Sequence, residues 1–181
     1  FVRECHGDIH LANLAWYIDN SATSAGNGTS SAPFQGVDQF MASSDPKSGQ
    51  TIYVMSNGGT NAPYDGAGFT LKSDQVLLGE GVDLVLGSDT LVTGNASHRP
   101  VITSTADAVV LNLRNQIRGV DFGNTTGYAI SGYLFTTVTV EDVSIAGTGG
   151  LLDLERGFVT VTLDEATTTS AAEHGIHLRN L

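Results

Sequence analysis

The chain has 181 residues and a formal charge of −11, from nineteen acidic against eight basic side chains, which repels phosphate backbones and anionic headgroups and excludes nucleic acid and membrane surfaces as partners. Its length suffices for one domain that buries roughly 70% of its unfolded surface, and its one cysteine, Cys5, excludes an internal disulfide. Twenty-two glycines, with abundant Thr, Ser, Val, Asn and Asp, point away from helices and towards short strands joined by turns.

The opening segment differs from the rest. Roughly Arg3 to Ala15 carry an apolar spacing, with Ile9, Leu11 and Leu14 continued by Trp16, that suits a short helix. Residues 1–15 are therefore expected to be an N-terminal cap or junction segment before a single domain, 16–181. Within the segment, His6, Gly7, Asp8, His10 and Asn13 spell H-G-D-x-H-x-x-N. This pattern, from Arg3 to Leu14, resembles the catalytic loop of aminoglycoside phosphotransferase and choline kinase-like enzymes. The resemblance implies Asp8 as the base that orients a hydroxyl and Asn13 as a magnesium ligand. It is a fragment, because phosphoryl transfer also needs a phosphate-holding lysine, a covering lobe and a second metal-binding aspartate on a later strand. Asp19 follows Asn13 too closely for that place. The expected role of the segment is to cover the open edge of the first turn of the domain; a metal site using His6, Asp8 and His10 is the alternative.

No apolar run approaches the ~20 residues of a membrane helix, and the opening lacks the basic-then-apolar order of a signal peptide. After the strand WYIDN comes a Gly/Ser/Thr/Asn-rich loop near 21–34, then a short helical stretch, Val37 to Ala42. TIYVM, Thr51 to Met55, reads as a strand; SNGGTNAPYDGAG, near 56–68, reads as a second long loop; GFTLK, Gly68 to Lys72, reads as a strand again. QVLLGEGVDLVL, Gln75 to Leu86, has the apolar-x-Gly-x-x-apolar rhythm seen later in NQIRGVDF.

From Asp107 onward an internal period emerges. Ile117, Val140 and Leu163 are separated by 140−117 = 23 and 163−140 = 23 residues. Val120, Val143 and Ala166 keep the same step, as do Phe122, Ile145 and Thr168, and Gly127 with Gly150. Short strands recurring at such a step are the signature of a solenoid. A sandwich or up-and-down barrel would not need one fixed step, and the Leu/Asn template of leucine-rich repeats is missing. The predicted fold class is all-β, a right-handed parallel β-helix with about 23 residues per turn in the C-terminal half.

The stretches WYIDNSATSAGNGTSSAPF, SGQTIYVMSNGG, GFTLKSDQVLLGEGVDLVL, GLLDL and GIHLRNL, spread over about Trp16 to Leu181, resemble the β-helix segments of large bacterial extracellular β-strand-repeat proteins. That resemblance implies a secreted or cell-surface setting and a module whose biochemical activity is usually unassigned.

In a solenoid, residues one period apart stack ~4.8 Å apart. The 23-residue step places Arg118, Glu141 and Asp164 in one column and Gly119, Asp142 and Glu165 in the next. Glu141, Asp142, Asp164 and Glu165 would then crowd one corner, and like charges at that distance call for a cation or a basic neighbour. Ca2+ held by these carboxylates, relief by Arg118, or solvated corner residues are the three structural readings. The catalytic reading is that paired carboxylates suit retaining glycoside hydrolysis, while polysaccharide lyases on this fold pair acidic calcium ligands with a basic residue. Tyr133, Arg156 and Arg179 share the same step and are expected along one face; His174 and His177 are spaced too irregularly to be read as metal ligands.

The expected function is a non-catalytic structural, adhesive or surface-display module. The alternative is a carbohydrate-active enzyme or glycan-binding domain, working in a groove walled by the loops near 21–34 and 56–68, where Phe34 and Tyr64 are the aromatics on offer. The expected partners are polysaccharide or another surface protein, with end-to-end self-association through an uncapped C-terminal turn, since GIHLRNL reads as the start of another turn.

Overall fold

The computed structural model describes residues 14–171 and 175–181. Along the chain the strands wind into a parallel β-solenoid of about five turns, spaced about 23 residues apart, with almost no helix. Strand β1 (Ala15–Ile18) opens it and is followed by a short helix, α1 (Val37–Ala42). The first full rung holds β2 (Thr51–Val54) and β3 (Phe69–Thr70). The second holds β4 (Val76–Gly79), an inserted pair β5 (Leu84–Leu86) and β6 (Asp89–Val92), then β7 (Val101–Ser104) and β8 (Val109–Val110). The third is β9 (Gln116–Arg118), β10 (Asp121–Thr125) and β11 (Tyr128–Tyr133); the fourth is β12 (Val138–Gly147) and β13 (Gly150–Glu155); the last is β14 (Val159–Thr168) and β15 (Ile176–Arg179).

Pairing runs between rungs. β1, β2, β4, β9 and the first half of β12 stack in parallel on one face. β7, β10 and the second half of β12 stack on the next. β3, β8, β11, β13 and β15 form the remaining face. Long β12 and β14 pair along both of their halves. Thus the turn that separates β9 from β10 becomes a bend within one continuous strand in later rungs.

Strand alternation sends every second side chain inward, and neighbouring rungs turn those positions into apolar columns. Ile52, Leu77, Ile117 and Val140 form one such column, and Phe69, Val109, Ile130 and Leu152 another, all fully or almost fully buried. Each side chain of this size contributes ~1.5–3 kcal/mol on leaving water, so the columns are the main source of the fold's stability.

The corner before the first face is held by an amide ladder. Gln50, Gln75 and Asn115 are buried, and each side-chain oxygen accepts the backbone N–H three residues earlier, from Lys47, Lys72 and Asn112. Each higher amide also donates down the ladder, Gln75 to the Lys47 carbonyl and Asn115 to the Lys72 carbonyl. The residue just before each amide, Gly49, Asp74 and Arg114, has positive φ, as so tight a corner demands. These bonds satisfy corner groups that would otherwise be buried without partners.

The register corrects one expectation. The 23-residue step holds from Ile117 to Val140 and from Phe122 to Ile145, but Val140 stacks on Val161, Val143 on Leu163 and Ile145 on Ala166. Leu163, Ala166 and Thr168 therefore do not occupy the expected positions. One residue is lost before β13, where Tyr128 pairs with Gly150, and another in the turn before β14, which spans 156–158 where the previous rung uses 134–137.

Candidate functional site

The outer face of β2, β4 and β9 carries a column of its own, Tyr17, Tyr53, Leu78, Arg118 and Glu141. Its first members are apolar and need a cover. The antiparallel pair β5–β6 supplies it as an arm, closing a second small core of Ala15, Tyr53, Leu78 and Leu84, with Tyr17, Val82, Leu86 and Val92 packed around it. The arm's root is set by Gly119 (φ 68°): a Cβ there would sit 2.9 Å from the Val82 backbone nitrogen and 3.0 Å from the Gly79 oxygen, so only glycine fits.

Beyond the arm's cover the column becomes charged, and between arm and sheet lies a groove of about 580 Å3. Thr51, Val76 and Gln116 from one column and Leu78 and Arg118 from the next make its floor. Val82, Asp83 and Val85 of the arm make its wall, and Asp142 closes one end. Asp142 sits at the bend of β12 with φ 54°, a left-handed conformation that aspartate tolerates better than most residues, and its carbonyl accepts the Gly119 N–H at 3.0 Å. Asp83 is anchored by the Gly94 N–H at 2.8 Å.

Arg118 holds both acids of the bend. Its Nη2 donates to Asp142 Oδ2 at 2.9 Å, and its Nε lies 3.6 Å from Glu141 Oε2, buried and without a hydrogen bond. Asp164, expected in the same stack, lies elsewhere: opposite Glu141 and Asp142 the shortened last rung places Thr162, between Val161 and Leu163. Asp164 instead pairs at 2.5 Å with Arg99 Nη2, while Arg99 Nη1 reaches Asp121 and the Ser144 hydroxyl. Burial pulls the Arg99 guanidinium down, but the hydrogen bond to Asp164 and the charges of Asp121 and Asp164 outweigh it and hold it above its ordinary value. Glu165 stacks on Ser144, exposed, and accepts the Thr167 hydroxyl. The expected four-acid corner is thus broken up: Arg118 holds Glu141 and Asp142, Arg99 holds Asp164, and Glu165 stands apart. Among the described residues, no group of three or more His, Cys, Asp or Glu side chains is placed to hold a metal ion.

Other expected residues take structural places. Phe34 and Tyr64 are buried, not displayed to a glycan. The loops near 21–34 and 56–68 are clasped inward: Asp19 accepts the Ser21 N–H and hydroxyl and the amides of Asn57 and Asn61. Burial raises the Asp19 carboxyl, and these four bonds outweigh it, leaving it below its ordinary value. Glu80 is likewise raised by burial and brought below its ordinary value by the Ser56, Gly58 and Asn57 N–H groups and the Ser56 hydroxyl. Tyr133 stacks on Glu155 and Glu155 on Arg179, with Arg156 laid over the Tyr133 ring at 5.5 Å, so Glu155 separates the expected arginine stack and is gripped by both arginines. His177 Nδ1 meets Asp153 Oδ1 at 2.8 Å. The kinase-like stretch, with Cys5, His6, Asp8, His10 and Asn13, and the residue His174 lie outside the described residues.

Sequence reasoning missed Arg99, whose partners come from three different rungs. It also missed the arm: the Gly87 turn at LVLGSDTLV was its signal, a short hairpin inside a parallel repeat.

The chain matches no family model, no curated protein and no solved structure.

Proposed function

We propose that the chain is a non-catalytic structural, adhesive or surface-display β-solenoid module of a secreted or cell-surface bacterial protein. The observation that carries this reading is the fate of its acidic groups: Glu141 and Asp142 are held by Arg118, Asp121 and Asp164 by Arg99, and Asp19 and Glu80 by neutral donors of the loops. Paired carboxylates that work as acid and base sit in unlike environments; here one guanidinium lies against both members of each pair. The extracellular address rests on the sequence resemblance over about Trp16 to Leu181.

The exposed apolar side chains of the last rung, Phe158, Ile176 and Leu178, support end-to-end self-association as part of this role. Sedimentation should then show dimers that Ile176→Lys dissociates, and a monomeric wild type at millimolar chain removes that part.

The test of the main reading is incubation with pectin, alginate and neutral glycans, with and without Ca2+. No new chain ends are expected. Turnover that disappears in Asp142→Ala would replace this reading with a polysaccharide lyase or glycoside hydrolase.

A further inference from the structure

We infer that the groove between the β5–β6 arm and the outer face of the solenoid is a binding site for a neutral, linear oligosaccharide. The inference rests on the proposed adhesive role and locates it.

Shape is the first ground. The groove's volume of about 580 Å3 lies in the usual span for ligand sites, ~300–1,000 Å3. Its lining comes from four successive strands, Thr51 of β2, Val76 and Leu78 of β4, Gln116 and Arg118 of β9, and Asp142 of β12. At ~4.8 Å per strand the floor runs ~14 Å along the solenoid axis. The occupant that fits is an extended chain lying across the strands.

Backbone chemistry narrows the class. β2, β4 and β9 are each paired on both sides, β2 with β1 and β4, β4 with β2 and β9, β9 with β4 and β12. Their N–H and C=O groups are therefore spent, and a peptide has no free edge in this floor on which to add as a strand. From the floor, recognition must come from side chains.

Those side chains alternate in the way a sugar chain requires. Val76, Leu78 and Val85 offer apolar surface to C–H faces, while Thr51, Gln116, Asp83 and Asp142 offer acceptors and donors to hydroxyls. Arg118 adds a partly exposed guanidinium beside them, its Nη2 on Asp142 and its Nε facing Glu141.

Charge selects within the class. The groove sets Asp83 and Asp142 against Arg118, which is already bound to Asp142 and faces Glu141, on a chain of net charge −11. A polyuronate or phosphate chain is repelled there; a neutral one is not.

The test is isothermal titration calorimetry of the whole chain with cellohexaose, xylohexaose and mannohexaose, with hexagalacturonate and a mixed hexapeptide pool as comparisons. At least one neutral hexaose should bind. Gln116 is exposed, so Gln116→Ala should leave the melting temperature unchanged while weakening binding about tenfold, the worth of about one hydrogen bond. Val85→Trp, at the exposed groove wall of the arm, should plug the groove and abolish binding. Failure of every neutral hexaose to bind, binding of the hexagalacturonate or the peptides alone, or binding indifferent to Val85→Trp each overturns the inference. Chromatography of the same mixtures separates the two proposals: cleavage with binding retained overturns the non-catalytic role but leaves the site, whereas neither binding nor cleavage overturns the site and leaves the role.

Discussion

The interior rungs and the last rung are made of the same kind of residue and are held very differently. In one column Phe69, Val109 and Ile130 are 0% exposed and Leu152 4%, yet Ile176, next in line on β15, is 49% exposed. The first-face column behaves alike, with Ile52, Leu77, Ile117 and Val140 buried and Val161 only partly so. A solenoid residue is buried by the rungs above and below it, so apolar character alone does not make a core; position in the stack does.

The largest effect expected from this difference is a substitution made twice in one column. Ile130→Ala removes a side chain enclosed on all sides and should cost ~2–5 kcal/mol. Ile176→Ala, on a surface already half exposed, should cost less than ~1 kcal/mol. Urea unfolding with unchanged m-values measures both. Equal losses would mean that the last rung is as well enclosed as the interior, and the comparison would fail.

A second difference lies in how the two regions hold their acids. The early rungs bind Asp19 and Glu80 through neutral amides and hydroxyls, while the later ones set Asp164 and Glu155 against arginines. Asp19 and Glu80 both lie below their ordinary values in the folded chain. Their contribution is therefore fully present above the unfolded carboxylate range, about pH 4, and is lost as pH falls through the lowered folded values. Melting temperature should drop across that acid window, and Asp19→Asn and Glu80→Gln should each flatten the drop. Parallel acid curves for wild type and both variants would show that the clasps carry no such linkage. Added salt at neutral pH should instead act on the later, arginine-paired region.

Much of this is legible in the sequence, and what is not has a physical cause. The step from Ile117 to Val140 and from Phe122 to Ile145 was readable because inward side chains must repeat with the rung. The third unit hides its register because VTLDEATTT keeps an apolar–polar alternation under a two-residue shift, so Leu163 and Val161 are equally plausible partners for Val140. That shift decides the site, since it takes Asp164 away from Glu141 and gives it to Arg99. The amide ladder had a signal, KSGQ and KSDQ before two strands, which reads as turn composition until the stacking is known. Arg99 had none. Phe34 and Tyr64 looked like displayed loop aromatics because loop position suggested exposure; in fact the loops fold them inward, against Trp16 and Phe40 in the case of Phe34.

The smallest expected effect concerns Asp142, where the groove, the β12 bend and the fourth rung meet. Two terms act in opposite directions. Its pair with Arg118 joins side chains that are each 41% exposed, a contact worth ~0–1 kcal/mol in water. Its backbone holds φ 54°, a conformation that costs an L-residue ~1–2 kcal/mol, though less for aspartate, and costs glycine almost nothing. Asp142→Gly loses the pair and relieves the backbone, so its net change should stay within about 0.5 kcal/mol. Asp142→Ala loses the pair and keeps the backbone cost, without the local hydrogen bonding that lets aspartate bear it. Glycine should therefore be the more stable variant by ~1 kcal/mol, the reverse of their order within an ordinary strand. That inversion, read from urea midpoints, separates a bend fixed by the shifted last rung from one fixed by the Arg118 contact. If alanine proved at least as stable as glycine, the bend would owe nothing to left-handed geometry and the ion pair would carry it.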